Sequence, residues 1–313
     1  MKVLFVSSGN KRNGVSSIVD MQRKSLIHAG VDVDMFLVNG RGWRSYLRAI
    51  YLLRSKLRYQ KFDIIHSHYS FSTWVAILAG GRNIVGSLMG SDVKASFFLR
   101  ILIRVSLLPF CRAIIVKSDE MKRDLSYDDA HVVPNGVNLD VFYPQNSRDC
   151  KKVLGWDNQK LNVLFPSNPN RPEKNFGLLE NALASSGIKN YVIHTLTDIS
   201  FSEMPTYYNA ADIVCMSSTR EGSPNAIKEA MACDKLVVST NVGDVEWLFG
   251  STSGLFLSDQ EVLSFSASFE KALAYGLKNE MCSKGRDRIL QLQLSDALVA
   301  MKLIGIYKDV TGS

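Results

Sequence analysis

Long apolar runs are missing from this 313-residue chain. None approaches the roughly 18 uninterrupted residues of a spanning helix, and the best stretch, Phe97 to Phe110, is broken by Arg100 and Arg104. The opening run around Val3 to Val6 is too short for the apolar segment of a secretory signal. Cysteine is sparse: five residues, an odd number, scattered and without a C-x-x-C, which argues against a disulfide framework and for a reducing compartment. A cytoplasmic protein is expected. The loop Gly9 to Gly14 lacks the G-x-G-x-x-G spacing of a dinucleotide site. There is no persuasive D-x-D metal motif, so no metal is expected. Neither a zinc finger nor an aromatic–basic RNA motif is present, and nucleic acid is not an expected partner.

What the chain does have is enough apolar residue, 46%, to fill two cores at this length. Its net charge of +7 is unevenly spread. Residues 1–143 hold 20 Lys and Arg against 11 Asp and Glu, which leaves that part at +9 and the remainder at −2. Such an asymmetry points to an anionic surface or substrate met by the first half.

The most informative stretch lies late. Asp212 to Met216 reads as a buried strand ending at Ser217 and Ser218. After a loop from Thr219 to Gly222, Ser223 is expected to cap a helix, with Pro224 at its first position and Asn225 following. Ala226, Ile227, Ala230 and Met231 give that helix its apolar stripe. A strand, a tight loop and a helix N-terminus make a phosphate site, because free N–H groups and the helix dipole both favour an anion. Two carboxylates bracket it: Glu221 in the loop, and Glu229 about 8 Å along the helix axis. A hexose–pyrophosphate–ribose ligand has the length to reach both. The helical neighbours of Glu229 at three and four residues are Ala226, Ala232, Asn225 and Cys233, so no cation is expected to pair with it there.

Earlier in the chain, Lys2 to Val6, a polar loop, a helix closed by Gly30 and the strand Val31 to Phe36 open a doubly wound sheet. Trp43 to Gln60 reads as a basic amphipathic helix: Trp43, Tyr46, Leu47, Ile50, Leu53 and Leu57 form one stripe, with Arg41, Arg44, Arg48, Arg54, Lys56, Arg58 and Lys61 on the rest. A solvated helix on a core explains this pattern, and so does contact with anionic lipid. Phe62 to His68 is a further strand, on which His66 and His68 are expected to face opposite sides and so to make poor partners for one metal. The polar stretch Gln145 to Lys160 is the expected linker, and Leu161 to Phe165 starts a second sheet.

Several of these segments resemble glycosyltransferase family 4, retaining enzymes of the GT-B fold. Glu221 to Glu229 matches the family's E-x7-E signature, and Glu229-Ala230-Met231-Ala232 through Val242-Gly243 continues its pattern. Asp63-Ile64-Ile65-His66-Ser67-His68 resembles "D-I-I-H-x-H", and Val133-Pro134-Asn135-Gly136-Val137 to Pro144 resembles the turn that closes the family's first domain. Met89-Gly90-Ser91-Asp92 departs from "H-G-S-D" by placing Met89 at the histidine. Pro166 to Asn175 stands where "G-R-L-x-x-x-K-G" is usual; Lys174 fits the lysine, and Arg171 is a local substitute for the displaced arginine.

The resemblance implies two Rossmann-like domains facing a cleft: an acceptor-side domain over 1–144, on which a final helix at about 296–313 packs back, and a donor domain over 161–295. It implies transfer of a sugar, with retention, from a nucleotide-sugar donor to a glycan or lipid-linked acceptor, with no cofactor. The implied catalytic residues are Glu221, Lys174 and Arg171. The donor contacts are Gly14, Gly222, Ser223, Pro224, Asn225 and Glu229, with Glu221 on the hexose and Glu229 on the ribose. Asp92 and His68 fall on the acceptor side. An anionic membrane surface is a further expected partner. The competing expectation is a non-catalytic sugar- or lipid-binding protein of the same fold, for which Met89 and the displaced arginine speak.

Overall fold

A computed structural model describes residues 1–10, 14–40, 42–94 and 96–312. Lys11 to Asn13 of the first loop, and Arg41 before the basic helix, lie outside the described residues. The chain forms two compact units, one of residues 1–136 with 296–313, the other of 137–295.

The first unit holds a parallel sheet of six strands: β1 (Lys2–Ser8), β2 (Asp32–Val38), β3 (Ile64–His68), β4 (Ile84–Ser87), β5 (Ala113–Val116) and β6 (His131–Val132). Their order is β2-β1-β3-β4-β5-β6. The strands read as continuous apolar runs because helices cover both faces and leave no side for water. One face packs on helices Ser17–His28 and Asp296–Thr311, burying Val3, Phe5, Val19, Leu26, Leu303 and Tyr307. The other packs on Trp43–Tyr59, Ser70–Leu78 and Phe97–Ser106.

The second unit holds β7 (Leu161–Phe165), β8 (Tyr191–Thr195), β9 (Ile213–Met216), β10 (Leu236–Thr240) and β11 (Leu255–Ser258), all parallel, in the order β11-β10-β9-β7-β8. Both sheets therefore have the same winding. The chain steps outward one way from the unit's first strand, then returns to that strand's other side, which places a topological switch between β1 and β3 and another between β7 and β9. In sheets wound this way, ligands usually bind at the carboxyl ends of the two strands that flank the switch.

Two expected boundaries move. The first unit ends at Gly136, before the expected limit at Pro144, because Phe142 is buried in the second unit's core and the Arg286 guanidinium donates to the carbonyls of Leu139 and Phe142. The expected linker holds a helix, Ser147–Leu154, capped by the Asn146 side chain. Lys151 anchors it through a 2.7 Å contact to Asp212 at the start of β9, so a polar stretch is an ordered part of the second unit.

Candidate active site

Three loops leave the carboxyl ends of adjacent strands in the second unit: 166–175 after β7, 217–224 after β9 and 241–244 after β10. Ser217 Oγ donates to the carbonyls of Lys174 (3.2 Å) and Asn175 (2.8 Å), and the Thr219 N–H donates to the Glu173 carbonyl at 2.9 Å. The first two loops are thus stitched together across the β7/β9 switch. Gly243, at φ +63°, supports the second from the third; a Cβ there would lie 2.5 Å from the Gly222 carbonyl oxygen, so only glycine fits.

This stitching brings Lys174 and Glu221 together. Lys174 Nζ lies 2.5 Å from Glu221 Oε1, and Ser218 Oγ donates to the same oxygen at 2.8 Å. Lys174 and Glu221 are each 17% exposed, desolvated enough to strengthen their attraction and open enough to meet a ligand. Arg171 goes elsewhere. Its guanidinium is more than half exposed and pairs with Glu173, two residues on.

The helix start differs from the expected one. Pro224, at φ −71° and ψ 117°, is the cap itself, the helix runs Asn225–Ala232, and no side chain caps it. Ser223 lies one residue before the cap, and its hydroxyl accepts a 3.1 Å bond from Lys228 Nζ instead of from a helix N–H. The first N–H groups of this helix, beside Gly222 and Ser223, are left without a side-chain cap, and Asn225 Oδ1 is buried without a partner among the described residues.

Glu229 is not the uncompensated carboxylate expected from helical spacing. The Tyr208 hydroxyl donates to its Oε2 at 2.8 Å, and Tyr208 comes from another helix, Met204–Ala210. Burial raises the Glu229 carboxyl above the usual range, while the Tyr208 bond and the Lys228 charge pull the other way. Burial likewise pushes Lys228 down to about 8, against the upward pull of Asp244 and Glu229. Lys228 and Tyr208, both fully buried, are the site residues that sequence reading missed. The signal for Lys228 was a lone cation inside the apolar run Ile227 to Met231; nothing in the sequence joined Tyr208 to Glu229.

In the first unit, Gly14 sits after β1 at φ +83°, a conformation that suits glycine. His68 ends β3, across the other switch. His66 and His68 do not face opposite sides. Residues two apart on a strand share a face, and the two rings stack with centroids 4.4 Å apart. His66 is satisfied by Tyr307 (2.5 Å) and Ser87 (3.0 Å), whereas His68 Nε2 is buried without a partner among the described residues. Burial, with the Lys117 charge adding to it, pushes the His68 imidazole down to about 3. Burial also holds His66 well below its ordinary value, helped by His68 and Lys117. Asp92 is fully buried, and its carboxylate accepts from the N–H groups of Met89, Gly90 and Ser70 at 2.9–3.1 Å. It ties the 88–90 turn to the helix Ser70–Leu78.

Two doubly wound units of this kind define a GT-B protein. Comparison with known proteins bears on which kind. Residues 15–141 match the model of Glycosyltransferase Family 4, and residues 167–274 match that of Glycosyl transferases group 1. This chain belongs to the family 4 type of GT-B glycosyltransferases. It is 26% identical over 223 residues to an uncharacterized glycosyltransferase of Methanocaldococcus jannaschii, a match covering 65% of this chain and 63% of that protein. The next two curated relatives are matched over 66% and 61% of their length, so the chain spans a little under two thirds of each. Among solved structures it resembles sucrose-phosphate synthase from Thermosynechococcus elongatus (TM-score 0.85, 16% identity, 100% of this chain and 99% of that one). It also resembles Anabaena HepE in complex with UDP-glucose (TM-score 0.77, 15% identity, 99% and 100%).

Proposed function

We propose that this chain transfers a sugar, with retention, from a nucleoside-diphosphate sugar to a glycan or lipid-linked acceptor in polysaccharide or glycoconjugate synthesis. The observation that carries this reading is the contact between Lys174 Nζ and Glu221 Oε1 at the β7/β9 switch, beside an uncapped helix N-terminus. A cation, a carboxylate and free N–H groups suit a diphosphate bonded to a hydroxyl-rich ring. The likeness to a structure holding UDP-glucose supports a donor of this class.

In the reaction proposed, the bond from the anomeric carbon to the diphosphate oxygen breaks and the diphosphate leaves with the electron pair. An acceptor hydroxyl attacks from the same face, and its proton passes to the departing phosphate oxygen. Lys174 and the N–H groups at Asn225 stabilise the negative charge that grows on the diphosphate. Glu221 accepts hydrogen bonds from the hexose hydroxyls, and Glu229, held by Tyr208, does the same for the ribose. With charge neutralised by these groups, we propose that no metal is required. Arg171 is assigned a lesser part, since its partner in the structure is Glu173. On the acceptor side, His68 with its unpartnered Nε2 is the stronger candidate; Asp92 acts by holding the turn. The five cysteines, none in a disulfide, support a reducing compartment, the cytoplasmic side of a membrane.

A screen of UDP-, GDP- and ADP-sugars by thermal shift, followed by an assay for hydrolysis of any that bind, tests the reading. A native-state ligand at a hundred times its Kd adds about 2.7 kcal/mol of stability. One donor is expected to raise Tm and to be slowly hydrolysed. Binding without turnover in the presence of candidate acceptors favours the non-catalytic alternative.

A further inference from the structure

The helix Phe97–Ser106 turns a broad apolar face to solvent. Phe97, Phe98, Ile101, Leu102 and Val105 are all exposed, with Phe98 at 81% and Val105 at 65%. Their spacing puts them on one side of the helix, while Ile103 alone of its residues is fully buried against the sheet. A contiguous apolar face of this kind is seldom left to water. Arg100 and Arg104, one turn apart, border it; the Arg100 guanidinium lies 5.8 Å from the Phe97 ring and 3.6 Å from Asp124, while Arg104 is exposed.

The neighbouring helices extend this face. Trp74 Nε1 donates to Ser106 Oγ at 3.0 Å, tying Ser70–Leu78 to this helix, and the cores beneath the two share Ile77 and Cys111. Beyond it on the same side of the sheet, Trp43–Tyr59 exposes Trp43, Leu47 and Tyr51 at four-residue intervals, next to the exposed Arg44 and Arg48. Trp43 and Leu47 thus stand outside the core stripe expected of them; the buried positions are Ala49 and Leu53.

We infer that this side of the first unit docks on an anionic bilayer by laying the Phe97–Ser106 helix into the headgroup boundary, with arginines at the lipid phosphates. Charge complementarity selects this occupant: the apolar face is edged by arginine, in a part of the chain carrying +9. Geometry selects the mode. Ten residues of helix span about 15 Å, half of a hydrocarbon core, so the helix lies in the plane and does not cross. Among the described residues no helix is long and apolar enough to span. The inference rests on the proposed function only in that such docking brings a lipid-linked acceptor to the protein.

Flotation with vesicles of equal parts phosphatidylcholine and phosphatidylglycerol, and with pure phosphatidylcholine, tests it. Insertion differs from adsorption in its response to salt, since at about 1 M the Debye length falls to about 3 Å. The wild type is expected to float with the anionic vesicles at physiological salt and largely at 1 M. Phe98→Asp with Val105→Asp is expected to reduce binding about tenfold or more at both salts, whereas Arg44→Gln with Arg48→Gln weakens it only at low salt. Circular dichroism and the thermal shift with whichever of UDP, GDP and ADP binds the wild type, read without vesicles, control for folding. Failure of the wild type to float, or flotation of the Phe98/Val105 variant like wild type, overturns the inference. So does a wild-type dimer that the same two substitutions turn into a monomer without lipid, which assigns the face to a second copy. An absent shift with every one of UDP, GDP and ADP, with flotation intact, overturns the donor reading and supports this one.

Discussion

Lys174 Nζ and Glu221 Oε1, 47 residues apart in sequence, lie 2.5 Å from each other at the point where the second sheet reverses its winding. Each is the other's counterion in the structure; in the function proposed, the ammonium turns to the donor's diphosphate and the carboxylate to its sugar hydroxyls. Lys174→Ala is therefore expected to lower kcat about a hundredfold, a loss of about 3 kcal/mol in transition-state stabilisation. Initial rates at saturating donor check this; an unchanged kcat removes Lys174 from the chemistry.

Glu229→Gln separates binding from folding. The amide oxygen still accepts from Tyr208, so Tm is expected to stay within a few degrees. The proposed charged hydrogen bond to ribose becomes a neutral one, which should raise the donor KM about tenfold, or about 1.4 kcal/mol. Unchanged donor affinity in the folded variant would show that Glu229 does not touch the ribose.

Transfer activity is expected to survive EDTA, because the proposed function has Lys174 and the helix N-terminus meet the diphosphate charge. Loss of activity on chelation, with rescue by magnesium or manganese, would overturn the proposed metal independence.

The two buried histidines predict an acid sensitivity of the fold. Their imidazoles titrate near 6.5 in the unfolded chain but at about 3 for His68, and well below 6.5 for His66, in the folded one. As pH falls below 6.5 the unfolded chain takes up protons that the folded chain refuses, so stability falls. Each histidine contributes a slope of about 0.7 kcal/mol per pH unit at pH 6.5, rising toward about 1.4 as the unfolded imidazole becomes fully protonated. Urea unfolding at pH 7 and pH 5.5, compared with His68→Asn, measures it. The variant should show a shallower pH dependence than the wild type, the remainder coming from His66 and from His194, which burial also lowers; identical slopes would mean that His68 is protonated in the native protein.

The sequence by itself determined the alternation of strands and helices, because strands covered on both faces must be apolar throughout and surface helices must carry a stripe. It also located Glu221 and the loop before Asn225 as a candidate anion site, since turn and capping chemistry is local; Lys174 joined them only through the resemblance to glycosyltransferase family 4. Even locally it erred where a competing bond was non-obvious: Lys228, not a helix N–H, binds the Ser223 hydroxyl, and the helix starts one residue later.

The tertiary structure decided everything that depended on distant partners. Only strand order placed β7 beside β9 and so Lys174 on Glu221, while pairing Arg171 with Glu173. Only packing brought Tyr208 to Glu229 and stacked His66 on His68, leaving one histidine satisfied by Tyr307 from the far end of the chain. Only the sheet's covering layer showed which side of each amphipathic helix is spent on the core, and that Phe98 and Val105 are not. Periodicity along a chain specifies a local period and the width of an apolar stripe. Which stripe is buried, and which charges meet, depends on elements tens to hundreds of residues away.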